Sequence, residues 1–248
     1  MNLTFAGLEL KRIVRDRTGL FFTAVLPAFF FLIFGTSVAS KETTIGSGNV
    51  ATYVMISMAA YGAVTATTST GGQAAMERMQ GWGRQLGLTP MRDGQYVVLK
   101  ALIAMVVASI PILLIYALGA WTGAKGSLTA WLGSGLVALT GSAIFALYGV
   151  LIGTAFRSES AVGVASGSVV IFAFLGNIFI SLSGAMLAFA KFTPLYGYVS
   201  LARYPLTQGH LPDGSWEPLW VPLAGVIGWA LIFGMLATWF VKRGRDRQ

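Results

Sequence analysis

Long charge-free stretches alternate with short polar, basic stretches along this chain. The apolar runs fall at Leu20–Val38, Val50–Thr70, Ala101–Leu118, Leu128–Ala155, Ala161–Ser181 and Leu219–Val241. Each is close to the ~20 residues a helix needs to cross the hydrocarbon of a bilayer. The fourth is long enough to tilt or to include an interfacial turn. Residues 182–218 are too mixed to span. They carry Lys191, Arg203, His210, Asp213 and Glu217 among Pro194, Pro205, Pro212 and Pro218, and they read as a segment on the outer face. The pattern predicts an all-α polytopic membrane protein with six transmembrane helices in one permease-sized domain, residues 1–248.

Residues 1–19 precede the first span as a leader. Within it, Leu3–Thr18 reads as an amphipathic helix. Leu3, Ala6, Leu10 and Ile13 share one face; Glu9, Arg12 and Asp16 share another, spaced so that their charges can pair. Such a helix lies in the headgroup layer and snorkels its arginines outward. It anchors the topology and can also touch a cytoplasmic partner. A cleaved signal peptide ending near Ser37-Val38-Ala39-Ser40 is the competing reading, but the apolar run is long for a signal core.

Composition sharpens the picture. The 248 residues are 55% hydrophobic and 10% charged, with a mean hydropathy of +0.71. An ordinary soluble domain carries about 25% charge, so a soluble enzyme, a disordered chain and a nucleic-acid binder are excluded. There is no cysteine and only one histidine, His210, which leaves no disulfide framework and no metal site of the usual His/Cys kind. His210 reads as a solvated loop residue.

The net charge of +8 is unevenly spread. With six spans, thirteen Lys and Arg fall on the side of the termini, from Lys11, Arg12, Arg15 and Arg17 through Arg78, Arg84, Arg92, Lys100 and Arg157 to the tail Lys242, Arg243, Arg245 and Arg247. Four fall on the other: Lys41, Lys125, Lys191 and Arg203. The positive-inside rule then puts both termini in the cytoplasm of an inner-membrane protein.

The longest loop on the basic side, Gly71 to Lys100, exceeds what a connector needs. Its centre reads Glu77-Arg78-Met79-Gln80-Gly81-Trp82-Gly83-Arg84-Gln85-Leu86-Gly87-Leu88-Thr89-Pro90. A short charged helix followed by a glycine- and proline-fixed corner suits a docking element, and a solvated charged loop is the plainer alternative. The order Glu-Arg-x-x-Gly, then Leu-x-x-x-Pro, then a Lys opening the next span, resembles ABC-2-type transporter permeases. Glu77, Arg78, Gly81, Leu86 and Pro90 match; Met79 stands for the usual acid and Trp82 for the usual Thr. The leader, the six spans and an outer Pro motif at Thr193-Pro194-Leu195-Tyr196, followed by Leu201-Ala202-Arg203, extend the resemblance over nearly the whole chain.

The resemblance implies a separate ATP-binding cassette subunit, two copies per complex, which binds the ATP and magnesium. It implies a second permease, identical or paralogous. Glu77, Arg78, Gly81, Leu86 and Pro90, with Glu9 and Arg12 of the leader, would couple to that ATPase. This chain has no Gly-x-x-x-x-Gly-Lys-Ser/Thr loop, so it is expected to hold no cofactor and to be no enzyme itself. The predicted spans place no acid, Lys or His at mid-depth, where an ion-coupled carrier would use one.

Family permeases line their route largely with spans 2 and 5. On span 2, Met58, Tyr61, Thr65 and Thr68 share a helical face; on span 5, Phe172, Asn177 and Ser181 are the candidates, beside Leu175 and Phe179. Interhelical packing is the plainer role for Thr and Asn. A mostly apolar lining suits a hydrophobic or amphipathic cargo, so the chain reads as an efflux permease for a drug, antibiotic or lipid-like substrate, of the kind that confers drug resistance. The alternatives are a sensor or resistance module that relays membrane-active compounds to a regulator, and an exporter of polysaccharide or lipid-linked glycan. Gly149-x-x-x-Gly153 and Gly163-x-x-x-Gly167 permit close helix packing. The phenylalanines of span 1 read as lipid- and core-facing. Trp216, Trp220 and Trp239 read as interface anchors, and Tyr196, Tyr198 and Tyr204 as headgroup-level residues.

Overall fold

The computed structural model describes residues 15–36, 42–77, 93–156 and 160–245, with Gly7 and Lys11 as isolated points; for 93–99, 101 and 241–245 it describes the backbone only. Five helical stretches are long and apolar enough to cross a membrane. They are α1 (Arg17–Thr36), α2 (Val50–Glu77), α3 (Asp93–Thr122), the consecutive pair α4 (Leu128–Gly141) and α5 (Ala143–Phe156), and α9 (Trp220–Arg245). Between them lie a two-residue-stranded hairpin, β1 (Thr44–Ile45) and β2 (Gly48–Asn49), and the helices α6 (Ser160–Leu175), α7 (Gly184–Ala190) and α8 (Pro194–Thr207). The leader at residues 1–14 falls almost wholly outside the described residues, as do 78–92.

Three predicted spans change shape. The fifth, expected over 161–181, stops at Leu175. Sixteen residues rise about 24 Å, short of the ~30 Å of hydrocarbon, so α6 is shorter than the other spanning stretches. The stop is chemical. Asn177 adopts a left-handed conformation (φ 58°), Ile178 N–H reaches Ala173 O at 3.1 Å and Asn177 N–H reaches Phe174 O at 3.3 Å. This is the paired bonding of a Schellman termination, with Asn in the role usually taken by Gly. The fourth span is two helices broken at Ser142, whose hydroxyl bonds back to Leu139 O at 2.7 Å. The third starts earlier and ends later than its apolar core, running from Asp93 to Thr122 around an internal Pro111.

α1 is irregular for a stated reason. Pro27 has no amide hydrogen and its ring opposes the preceding turn. The helix accommodates it with a π-helical turn at Phe21–Val25, and a second π-helical turn follows at Leu32–Thr36.

α2 is the axis of the molecule: 83% of its most apolar window is buried. It packs most extensively on α5 and α3. Its approach to α5 is backbone to backbone. A Cβ on Gly149 would stand 2.1 Å from Thr68 O, and one on Gly71 would stand 2.1 Å from Ala146 O. On the α3 side, Gly62 meets the ring of Pro111, where a Cβ would lie 2.8 Å away. The Gly163–Gly167 pair of α6 differs, since no described atom lies within 4 Å of either Cβ position; among the described residues, only Gly149–Gly153 of the two spaced pairs builds a contact within the chain.

The Asn49 end of α2 is tied down by one side chain. Asn49 Oδ1 accepts from Thr52 N–H, Thr52 Oγ1 and Lys125 N–H, and its amide donates to Gly123 O. It thus caps α2 and fastens the α3–α4 loop to the hairpin. Ser47 N–H bonds to Leu206 O at 2.9 Å, joining the hairpin to the end of α8.

The segment 182–218 is not a surface strap. α8 packs against α4, α9, α2 and α6. Tyr196 and Tyr198, expected at the headgroups, are each 1% exposed. Tyr198 donates to Ala138 O at 2.6 Å and fills the space left by Gly141, where a Cβ would meet its ring at 2.7 Å. The cause lies in the helical spacing of Leu195, Tyr198, Val199, Ala202 and Leu206, which lines one face with apolar side chains. Trp216, Trp220 and Trp239 are exposed, as anchors would be.

Candidate functional site

The expected span-2 face lies inside the protein. Met58, Tyr61, Thr65 and Thr68 are 1%, 4%, 8% and 0% exposed. Thr65 donates its hydroxyl to Tyr61 O at 2.9 Å, as Thr67 and Thr70 do to carbonyls one turn back. Thr68 Oγ1 is buried with no hydrogen-bond partner among the described residues. The span-5 candidates separate. Phe172 stacks edgewise on Tyr148 at 5.6 Å, Ser181 is exposed, and Asn177 is buried.

What the structure brings together is Tyr61 with the turn that ends α6. Phe179 sits edge-to-face on Tyr61 (5.2 Å), Phe30 (5.7 Å) and Phe174 (5.1 Å). Beside this cluster, Asn177 Oδ1 accepts from Leu182 N–H at 2.8 Å, and the Asn177 carbonyl accepts from Arg203 Nη2 at 2.8 Å.

Arg203 was counted in the sequence among the positive charges of the outer side. It is 3% exposed. Its Nε and Nη2 bond to Ser57 Oγ at 2.9 and 2.7 Å, and its guanidinium lies 4.1 Å from the centroid of the Tyr53 ring. Ser57 is seven residues into α2, about 10 Å along its axis. Among the described residues no carboxylate is within ion-pair range of Arg203. A cation this enclosed is costly unless its donors are met and its charge is offset; here a hydroxyl, a carbonyl and a ring face do so. Arg203 therefore links α8, α2 and the end of α6. Ser57, Tyr53 and Arg203 were missed as site residues. The signal was available: Arg203 follows Ala202 on an apolar face with helical period.

A second polar group holds the outer segment. Glu217, 3% exposed, pairs with Lys191 at 2.9 Å and accepts from Tyr196 Oη at 3.1 Å. Burial and the adjacent Glu217 carboxylate raise the Tyr196 hydroxyl well above its ordinary range, so it serves as a neutral donor.

At the opposite end of α2, Glu77 and Lys100 form an ion pair at 2.6 Å, with side chains 9% and 10% exposed. The pair joins the last turn of α2 to α3 and so closes the base of the segment between them. Arg78, Gly81, Leu86 and Pro90, the other coupling candidates of that segment, lie outside the described residues, as do Glu9 and Arg12.

No protein-family model matches the chain. A chain of Bacillus subtilis (strain 168) named as a transport permease, YvfS, is 25% identical over 249 residues, covering 96% of this chain and 95% of its own length. The similarity thus takes in the outer segment, the buried Arg203 helix and the loop after Glu77 as well as the apolar spans. The chain is thus similar over nearly its whole length to a transport permease, and five of its described helical stretches are long and apolar enough to cross a membrane.

Proposed function

We propose that the chain is the membrane permease of an ATP-driven ABC-2-type exporter that moves a hydrophobic or amphipathic compound outward from the cytoplasm or inner leaflet. A separate ATP-binding subunit, in two copies, supplies ATP and magnesium chemistry, and a second permease completes the pathway. Both termini and the segment 78–92 face the cytoplasm in this reading.

The observation that carries it is the Glu77–Lys100 pair. It clamps α2 and α3 at the base of the segment whose residues resemble the family's coupling loop. A push on that segment therefore reaches α2, the helix on which the rest of the domain is packed, without being absorbed in slack between the two helices. At the other end, Arg203 closes the outer face in this reading. Opening outward requires α8 to leave Ser57 and Asn177, and the energy for it comes from the partner rather than from an ion gradient.

The test begins with the tagged chain purified in mild detergent from its native host. An equimolar ATP-binding subunit is expected to come with it. Reconstituted together, the pair is expected to expel an amphipathic dye with ATP, and Glu77→Gln is expected to uncouple ATPase from efflux. Recovery of the chain alone under several mild conditions would remove the coupling role from the 78–92 segment.

A further inference from the structure

A crevice of about 240 Å³ opens between α1, α2 and α3 near the end of α2 that leads to Glu77. It is lined by Asp16, Gly19, Leu20, Thr23, Ala66, Ser69, Thr70, Gln73 and Val107. The chemistry of this lining is lopsided. Thr23 spends its hydroxyl hydrogen on Gly19 O (2.8 Å) and Thr70 spends its own on Ala66 O (2.9 Å), so both present only lone pairs. Asp16 accepts Gly19 N–H on Oδ1 at 2.9 Å, which leaves Oδ2 to the crevice. A Cβ at residue 19 would stand 2.4 Å from that oxygen, so a side chain there would shift the carboxylate from its present position. Gln73 donates to Ser69 Oγ across a long 3.4 Å, which keeps its carbonyl oxygen available, while the Ser69 hydroxyl and the second Gln73 N–H can still donate. Among the described residues, Asp16 is the only charged one in the lining; Arg15 and Arg17, on either side of it, are exposed and line no part of the crevice. The remaining wall is Leu20, Ala66 and Val107, which is apolar.

A pocket that offers hydrogen-bond acceptors and one negative charge, with an apolar wall beside them, selects a ligand with N–H donors, one positive charge and a hydrocarbon stem. We infer that this crevice binds the primary ammonium head of an amphipathic amine. The carboxylate of Asp16 meets the charge, Ser69 and Gln73 accept its hydrogens, and the first methylenes lie on Leu20 and Val107. Such a head belongs either to a free long-chain amine or to an ethanolamine phospholipid. The inference rests on the exporter reading only for its meaning as a cargo vestibule at the inner leaflet; the binding itself needs no partner and no ATP.

The experiment uses the full chain in neutral maltoside detergent with radiolabelled dodecylammonium. Saturable binding is expected, displaced by unlabelled dodecylammonium, more weakly by dodecyltrimethylammonium, which keeps the charge but has no donors, and not by dodecanol. Asp16→Asn and, separately, Gly19→Ala are each expected to weaken binding by about tenfold or more through the lost charge-assisted bond. The thermal midpoint of each variant is measured alongside to show that it is folded. Equal competition by dodecanol, or full binding in a folded Asp16→Asn, would overturn the inference. Repeating the measurement in nanodiscs of phosphatidylglycerol with and without phosphatidylethanolamine separates the sources. Loss of the label only when ethanolamine lipid is present assigns the site to a lipid head, and retention assigns it to a free amine. Binding that persists while reconstituted complexes expel no amine would leave the site standing and count against the exporter.

Discussion

α2 and α9 are both long apolar helices, and they sit in opposite surroundings. The apolar window of α2 is 83% buried and that of α9 is 17% buried, yet α9 is the more hydrophobic, with a mean hydropathy of 1.9 against 1.3. In a soluble protein the order would be reversed. In a bilayer the lipid is as apolar as any core, so oiliness does not draw a helix inward. What does is the ability to approach. α2 carries Gly62, Gly71 and Gly72, many alanines and a run of threonines, and it meets its neighbours at backbone distance. α9 turns Trp220, Leu223, Ile227, Leu231, Met235 and Trp239 outward.

The contrast can be broken most severely at Gly149. Leucine there would push a side chain into Thr68 O and separate α5 from α2, so Gly149→Leu is expected to yield no folded protein in a fluorescence size-exclusion profile. The next effect is at the Asn49 end of α2. Arg203→Ala removes the guanidinium from Ser57, Asn177 and the Tyr53 ring, and a loss of about 3 kcal/mol is expected in a detergent denaturation series. Tyr198→Phe deletes one buried hydrogen bond to Ala138 O and is expected to cost about 1 kcal/mol by the same measurement. On the exposed face of α9, Leu231→Ala is expected to stay within about 0.5 kcal/mol of the parent. A large effect there would mean that this face is covered by protein and would turn the comparison around.

The two spaced glycine pairs show how far sequence carries. Gly149–Gly153 and Gly163–Gly167 have the same spacing and similar neighbours, but the first is filled by α2 and the second is open. Spacing reports that a helix can be approached; only the fold says by what. The apolar runs were legible because hydrocarbon imposes a length on them, and five of the stretches are long enough to span. The end of α6 was not, because Ile178, Phe179 and Ile180 continue the apolar run beyond the backbone reversal at Asn177. The burial of Arg203 was not legible from its charge, which was read by residue type, while the helical period of Leu195, Tyr198, Ala202 and Leu206 carried it inward. On the path, the grouping of Met58, Tyr61, Thr65 and Thr68 on one face of α2 was legible; its enclosure by the same chain depends on α5 and α6, whose packing no local pattern encodes.

The self-bonded threonines of α2 bear on how the protein is made. This helix follows α1 out of the ribosome, and its tightest partner, around Ala146 and Gly149 of α5, follows about 75 residues later, roughly 4–15 s at typical synthesis rates. During that wait α2 sits among lipid with none of its final neighbours on the α5 side. Thr65, Thr67 and Thr70 keep their hydroxyls satisfied on their own backbone throughout. A helix built to be the centre of an assembly is thus also one that can be stored alone in the bilayer until the assembly arrives.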